Sequence, residues 1–180
     1  MEKSINKSSL LKNSLSVFIA VAGAIALPQI FHALGIATGA YGKLGQMFLP
    51  MYLPVMILAF KSNAIMGVTA GVLSPIISFA LTGMPTASSL PLITIELACF
   101  GLFAGLLGHR KINPFLKIFI VQLSSRVVRI AATLTSLCFI TNASMTSAAV
   151  LSSIVIAIPG YALQLLTVPF FMSKGVANHE

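Results

Sequence analysis

Apolar residues in this chain fall into long runs separated by short clusters of turn-forming and polar residues. The first run covers 15–34 and contains Pro28, a residue that kinks or ends a helix. A glycine-rich link follows, with Gly35, Gly39, Gly42 and Gly45. The second run, 46–60, carries Pro50 and Pro54 and is short for a span, because about 20 residues are needed to cross the hydrocarbon core. Runs at 64–81, 90–107, 114–140 and 147–172 complete the set. Between them lie Lys61-Ser62-Asn63, Thr82-Gly83-Met84-Pro85, Arg110-Lys111-Ile112-Asn113-Pro114 and Thr141-Asn142-Ala143-Ser144, all rich in turn formers. The pattern predicts one all-α integral membrane domain over residues 1–180 with six transmembrane helices and no separate soluble domain.

Composition narrows the class further. Hydrophobic residues make up 57% of the chain and charged residues only 8%, against roughly a quarter charged in soluble domains. Eleven Lys and Arg against three Asp and Glu give a formal charge of +8. In a soluble protein that balance would point to nucleic acid; here the cations lie mostly between apolar runs and read as topology signals. With a cytoplasmic amino terminus, the inner segments hold Lys3, Lys7, Lys12, Lys61, Arg110, Lys111, Lys117 and Lys174, and the outer ones only Lys43. Cytoplasmic loops carry the excess of Lys and Arg, so an even number of spans puts both termini in the cytoplasm of a multi-pass cell-membrane protein. The start resembles a secretory signal, with Lys3, Lys7 and Lys12 ahead of an apolar run. Since everything downstream is also membrane-like, a retained first span is the better reading.

Three charged residues fall deep within apolar runs, away from their ends: Glu96, Arg126 and Arg129. Insertion scales put each at about 2.5 to 3.5 kcal/mol, so they must face the bundle interior. Gln122, Arg126, Arg129, Thr133 and Ser136 share one helical stripe, which predicts a hydrated cavity or a buried network. Gly160, Gln164 and Thr167 repeat the spacing on the last run, with Tyr161 beside them. Counted from the outer ends, Glu96 is about 9 Å deep and Arg129 about 16 Å, near enough for an ion pair. Counted from the inner ends, Arg126 and Gln164 are both about 15 Å deep, which makes Gln164 the expected neighbour of Arg126 and leaves that guanidinium without a carboxylate. Either Glu96 and Arg129 only pin two helices together, or the cluster receives a ligand.

Catalytic chemistry is hard to assemble from these residues. One intramembrane carboxylate rules out a carboxylate pair for acid and base work. His32, His109 and His179 are scattered, and Cys99 and Cys138 sit in apolar stretches where a thiol behaves as a small hydrophobe, so no metal or cofactor is expected. The stretch before Gly42-Lys43 fails as a phosphate loop, with Ala37 at the first glycine and Leu44 after the lysine.

The runs Leu27-Pro28-Gln29-Ile30-Phe31-His32 and Gly45-Gln46-Met47-Phe48-Leu49-Pro50-Met51, with Ser74-Pro75, Leu81-Thr82-Gly83-Met84-Pro85, Glu96-Leu97 and Gly101, carry a further signal. Over nearly the whole chain the sequence resembles the substrate-binding S components of energy-coupling factor (ECF) vitamin transporters. The resemblance implies a six-helix protein that binds a vitamin or precursor and reorients when attached to a membrane T protein and two ABC ATPases. It implies an A-x-x-x-A docking face for the T protein on the first helix, matched here by Ala20 and Ala24, with Ala22 and Ala26 as a second register. It also implies a ligand near the outer face under the first loop.

The expected pocket takes Gln46 and Tyr52 after the glycine-rich link, Glu96, Arg129, Thr133 and Tyr161 from later helices, and Arg126 with Gln164 in a deeper supporting or gating role. A competing reading is a stand-alone ion-coupled transporter in which Glu96 carries a proton or sodium ion. A third is a structural membrane subunit in which Glu96, Arg126 and Arg129 are assembly glue.

Overall fold

The computed structural model describes residues 7–39, 48, 50–139 and 156–176, with only the helical backbone given at 7–10, 136–139 and 172–176. The described residues form six helices and no strand: α1 (Lys7–Ala37), α2 (Tyr52–Lys61), α3 (Ala64–Thr82), α4 (Leu90–Gly108), α5 (Pro114–Phe139) and α6 (Ile158–Val176). Three are long and apolar enough to cross a membrane: Leu11–Ala37 within α1, all of α3 and all of α4. Pro28 does not end the first helix, which continues through it to Ala37. Within the expected run 46–60, residues 46, 47 and 49 lie outside the described residues and Phe48 is helical. Pro50 and Met51 form a turn, and α2 starts only at Tyr52. Pro54 is tolerated there because it sits in the first turn, where backbone N–H groups have no helical acceptor. Ten residues give α2 a length of about 15 Å at 1.5 Å per residue.

Helix ends follow local chemistry. Asn63 caps α3, its side chain accepting from the Met66 N–H at 2.9 Å. Gly83 ends the same helix at φ 69°, a left-handed conformation that glycine adopts without steric cost.

α1, α3, α4, α5 and α6 form an arc in which each helix packs on the next, and the short α2 sits inside it against α1, α3, α4 and α6. Accordingly Tyr52, Val55, Met56, Leu58, Ala59 and Phe60 are all buried. α3 and α4 run antiparallel at very close range. A Cβ on Gly67 would strike the Gly101 carbonyl, one on Gly71 the Leu97 carbonyl, and one on Gly105 the backbone of Ala64. Small residues four apart allow that approach.

Around an apolar core the bundle also buries its charged and amide side chains, while its outer surface is apolar. Phe18, Ile19, Phe115, Phe119, Leu123, Val127 and Leu166 are exposed, whereas Glu96, Lys117, Gln122, Ser125, Arg126 and Gln164 are buried. This inverts the partition of a soluble protein and matches a bilayer, where charges must turn away from lipid. Helical hydroxyls are satisfied locally: Thr69, Ser74, Thr94 and Thr167 each donate to the carbonyl four residues earlier.

Candidate functional site

α5 builds the site because its buried face is its polar face. Lys117, Ile118, Val121, Gln122, Ser125, Arg126 and Thr133 are buried, spaced at three and four residues, while Phe119, Leu123 and Val127 face outward. Arg126 and Arg129, three positions apart, therefore reach the same neighbour on α4. That neighbour is Glu96, whose side chain is fully buried. The Arg129 Nη1 donates to Glu96 Oε2 at 2.7 Å, and the Arg126 Nη1 lies 3.0 Å from Oε1. The second contact brings the charges together without hydrogen-bond alignment, so Oε1 retains an unused lone pair.

Aromatic rings hold Arg126 in place. Its guanidinium carbon lies 5.0 Å from the centroid of the Tyr161 ring on α6 and 5.9 Å from that of Tyr52 on α2, both within cation–π range. Tyr52 packs edge-on against Phe100 of α4, with centroids 5.1 Å apart and planes at 88°. Gln122 ties α5 to α6, its Nε2 donating to Gln164 Oε1 at 3.1 Å and lying 3.4 Å from the Tyr161 carbonyl oxygen.

Two guanidiniums and one carboxylate leave a formal excess of one positive charge. Among the described residues, four buried polar atoms have no hydrogen-bond partner: Glu96 Oε1, Arg126 Nε, the Tyr161 hydroxyl and Gln164 Nε2. Most buried polar groups in proteins are paired, so four such atoms on three neighbouring helices stand out as an exception.

Glu96, Arg126, Arg129, Tyr52 and Tyr161 thus meet in one cluster, with Gln164 joined to it through Gln122. Depth counting leaves Arg126 without a carboxylate, and the structure corrects this: both arginines meet Glu96, and the bonded neighbour of Gln164 is Gln122. Thr133 lies on the stripe, with its hydroxyl donating to the Arg129 carbonyl oxygen at 2.8 Å. Gln46 and the side chain of Ser136 lie outside the described residues. Gln122 is visible on the stripe but absent from the expected pocket; its four-residue offset from Arg126 is the signal that could have marked it.

The two alanine registers separate cleanly. Ala20 and Ala24 are buried inside the bundle, and Ala22 and Ala26 are exposed. A partner that meets the described surface of α1 therefore meets the second register. A groove of about 360 Å³ runs between α1 and α3, lined by Asn13, Val17, Phe18, Thr69, Leu73 and Ile77. It holds no ionisable side chain and lies apart from the Glu96 cluster. Among the described residues no group of three metal-ligating side chains occurs.

No protein-family model, no curated protein and no solved structure matches the chain.

Proposed function

We propose that this protein is the membrane-embedded substrate-binding subunit of an ECF-type transporter. It captures a vitamin or vitamin precursor and relies on a membrane T protein and two ABC ATPases for energy. Six spans with both termini cytoplasmic complete the reading. The observation that carries the binding role is the buried cluster of Glu96, Arg126 and Arg129 with four polar atoms left unspent around it. A purely structural triad satisfies its donors, because breaking or leaving open a buried polar network is costly.

Supporting the topology, Lys61, Arg110, Lys111 and Lys117 gather at one end of the bundle. Gly108 abuts Phe60 there, and the Lys117 Nζ donates to the Gly108 carbonyl oxygen at 2.9 Å. Glu96 lies twelve residues before Gly108 on α4, so it sits about 18 Å toward the opposite end. In the proposed orientation that end is the outer one, where a scavenged solute arrives. The sequence resemblance supplies the energising partners. A single carboxylate engaged by two arginines is a poor carrier for a coupling ion, which places the ion-coupled transporter second.

Reconstituted alone, the chain is expected to bind a solute saturably without concentrating it, and to accumulate it only with the T protein and ATPases added. Accumulation by the chain alone under a proton or sodium gradient would replace this reading with the ion-coupled transporter.

A further inference from the structure

The same atoms constrain the chemistry of the solute, an inference that rests on the solute-binding reading above. Three of the four unspent atoms are donors: Arg126 Nε, the Tyr161 hydroxyl and Gln164 Nε2. The Gln164 amide is held in that sense by Gln122, which donates to its oxygen and leaves its NH₂ over. The formal excess charge is one, from two arginines against Glu96. Lys117 lies apart from this cluster, its ammonium donating to the Gly108 carbonyl near the other end of α4.

We infer that the ligand is a small monocarboxylate whose carboxylate is received by Arg126, Tyr161 and Gln164 beside the Glu96–Arg129 pair. One negative charge cancels the excess. A neutral solute leaves a buried cation uncompensated, and a phosphate monoester, at about −1.5 to −2, sets surplus negative charge against Glu96. A planar carboxylate also suits the fork of a guanidinium already fixed over an aromatic ring.

The test titrates the full chain in detergent with mandelate, with its neutral twin mandelamide, with inorganic phosphate and with phosphatidylglycerol vesicles, reading the thermal midpoint. In parallel, molecules released from protein purified from its native membrane are identified by mass spectrometry. Mandelate is expected to raise the midpoint saturably, while mandelamide, phosphate and the lipid do not, and the released molecule is a carboxylic acid. Arg126→Gln weakens mandelate by about thirtyfold or more, the scale for losing one buried charge partner. Tyr161→Phe keeps the ring under the guanidinium and weakens mandelate by about fivefold to tenfold, the scale of one hydrogen bond. A neutral or cationic released solute overturns the carboxylate and leaves the solute-binding reading standing. Phosphate acting as well as mandelate overturns the single-charge argument, and phosphatidylglycerol acting as well makes the source a lipid headgroup. No released solute together with no stabilisation by any probe overturns both proposals.

Discussion

α4 presents two faces built on opposite principles. Toward α3 it offers Leu97, Gly101 and Gly105, where backbone meets backbone and a single Cβ has nowhere to go. Toward α2 and α5 it offers Glu96 and Phe100, which meet Tyr52, Arg126 and Arg129. The first face spends all its contacts on packing. On the second, buried donors remain over after the helices are joined. Buried ion pairs are often no better than well-packed apolar residues at holding helices together. The glycine seam thus holds α4 to α3 by close packing alone, while the polar face joins α4 to α5 through charges and leaves polar atoms over.

The most direct way to break that contrast is Glu96→Ala. It leaves two guanidiniums facing each other without a carboxylate, and removing one partner of a buried pair costs about 3 to 5 kcal/mol. A large fall in thermal midpoint and loss of solute binding are expected together. On the other face, Gly101→Ala drives a Cβ into the Gly67 carbonyl, where no flexible side chain can give way. Overpacking of this kind costs about 1 to 3 kcal/mol, read as a lower midpoint. Gly83→Ala is a useful contrast, because nothing crowds that position and only its left-handed backbone is strained, at about 1 kcal/mol.

The two arginines sharpen the comparison within the polar face. Arg129 makes the directed 2.7 Å bond to Glu96, whereas Arg126 has an unbonded Nε and lies 5.0 Å and 5.9 Å from the Tyr161 and Tyr52 ring centroids. Arg129→Gln is therefore expected to cost more stability, about 1.5 to 3 kcal/mol for a hydrogen bond to a charged group. Arg126→Gln costs less stability and more solute affinity. Equal effects of the two variants on both midpoint and binding would mean that the triad acts as one structural unit.

Much of this arrangement is legible in the sequence. The apolar runs mark the helices, and the cost of ionisable groups in hydrocarbon sends Glu96, Arg126 and Arg129 inward. The pairing of Arg126 escapes depth counting for a specific reason. Rise per residue gives depth, but the zero of depth is taken from opposite ends for the two arginines, although their three-residue spacing already places them on one face. The start of α2 escapes because hydropathy runs straight through Pro50 and Met51, while the backbone turns there. The alanine register is undecidable from sequence because alanines at 20, 22, 24 and 26 satisfy both faces of the helix. Only packing against the bundle chooses between them.

That choice supplies the smallest expected effect on stability and the widest gap between stability and transport. α1, like α4, has two unlike faces: Ala20 and Ala24 turn into the bundle, and Ala22 and Ala26 turn out beside exposed Leu15, Ile19 and Ile30. Ala24→Leu must push a larger side chain into a site with no exposed surface, at a cost of about 1 to 3 kcal/mol. The pair Ala22→Leu and Ala26→Leu only enlarges an outward face, and such surface changes usually stay within about 0.5 kcal/mol. The doubly substituted protein should therefore keep its thermal midpoint and its solute affinity. If α1 docks the energising partner through close helix approach, bulky leucines on the outward register keep the two backbones apart and uptake stops. Unchanged midpoint and binding with uptake abolished would place docking on Ala22 and Ala26. Uptake that survives the pair would remove α1's outward face from the coupling interface and leave the inward alanines with a packing role alone.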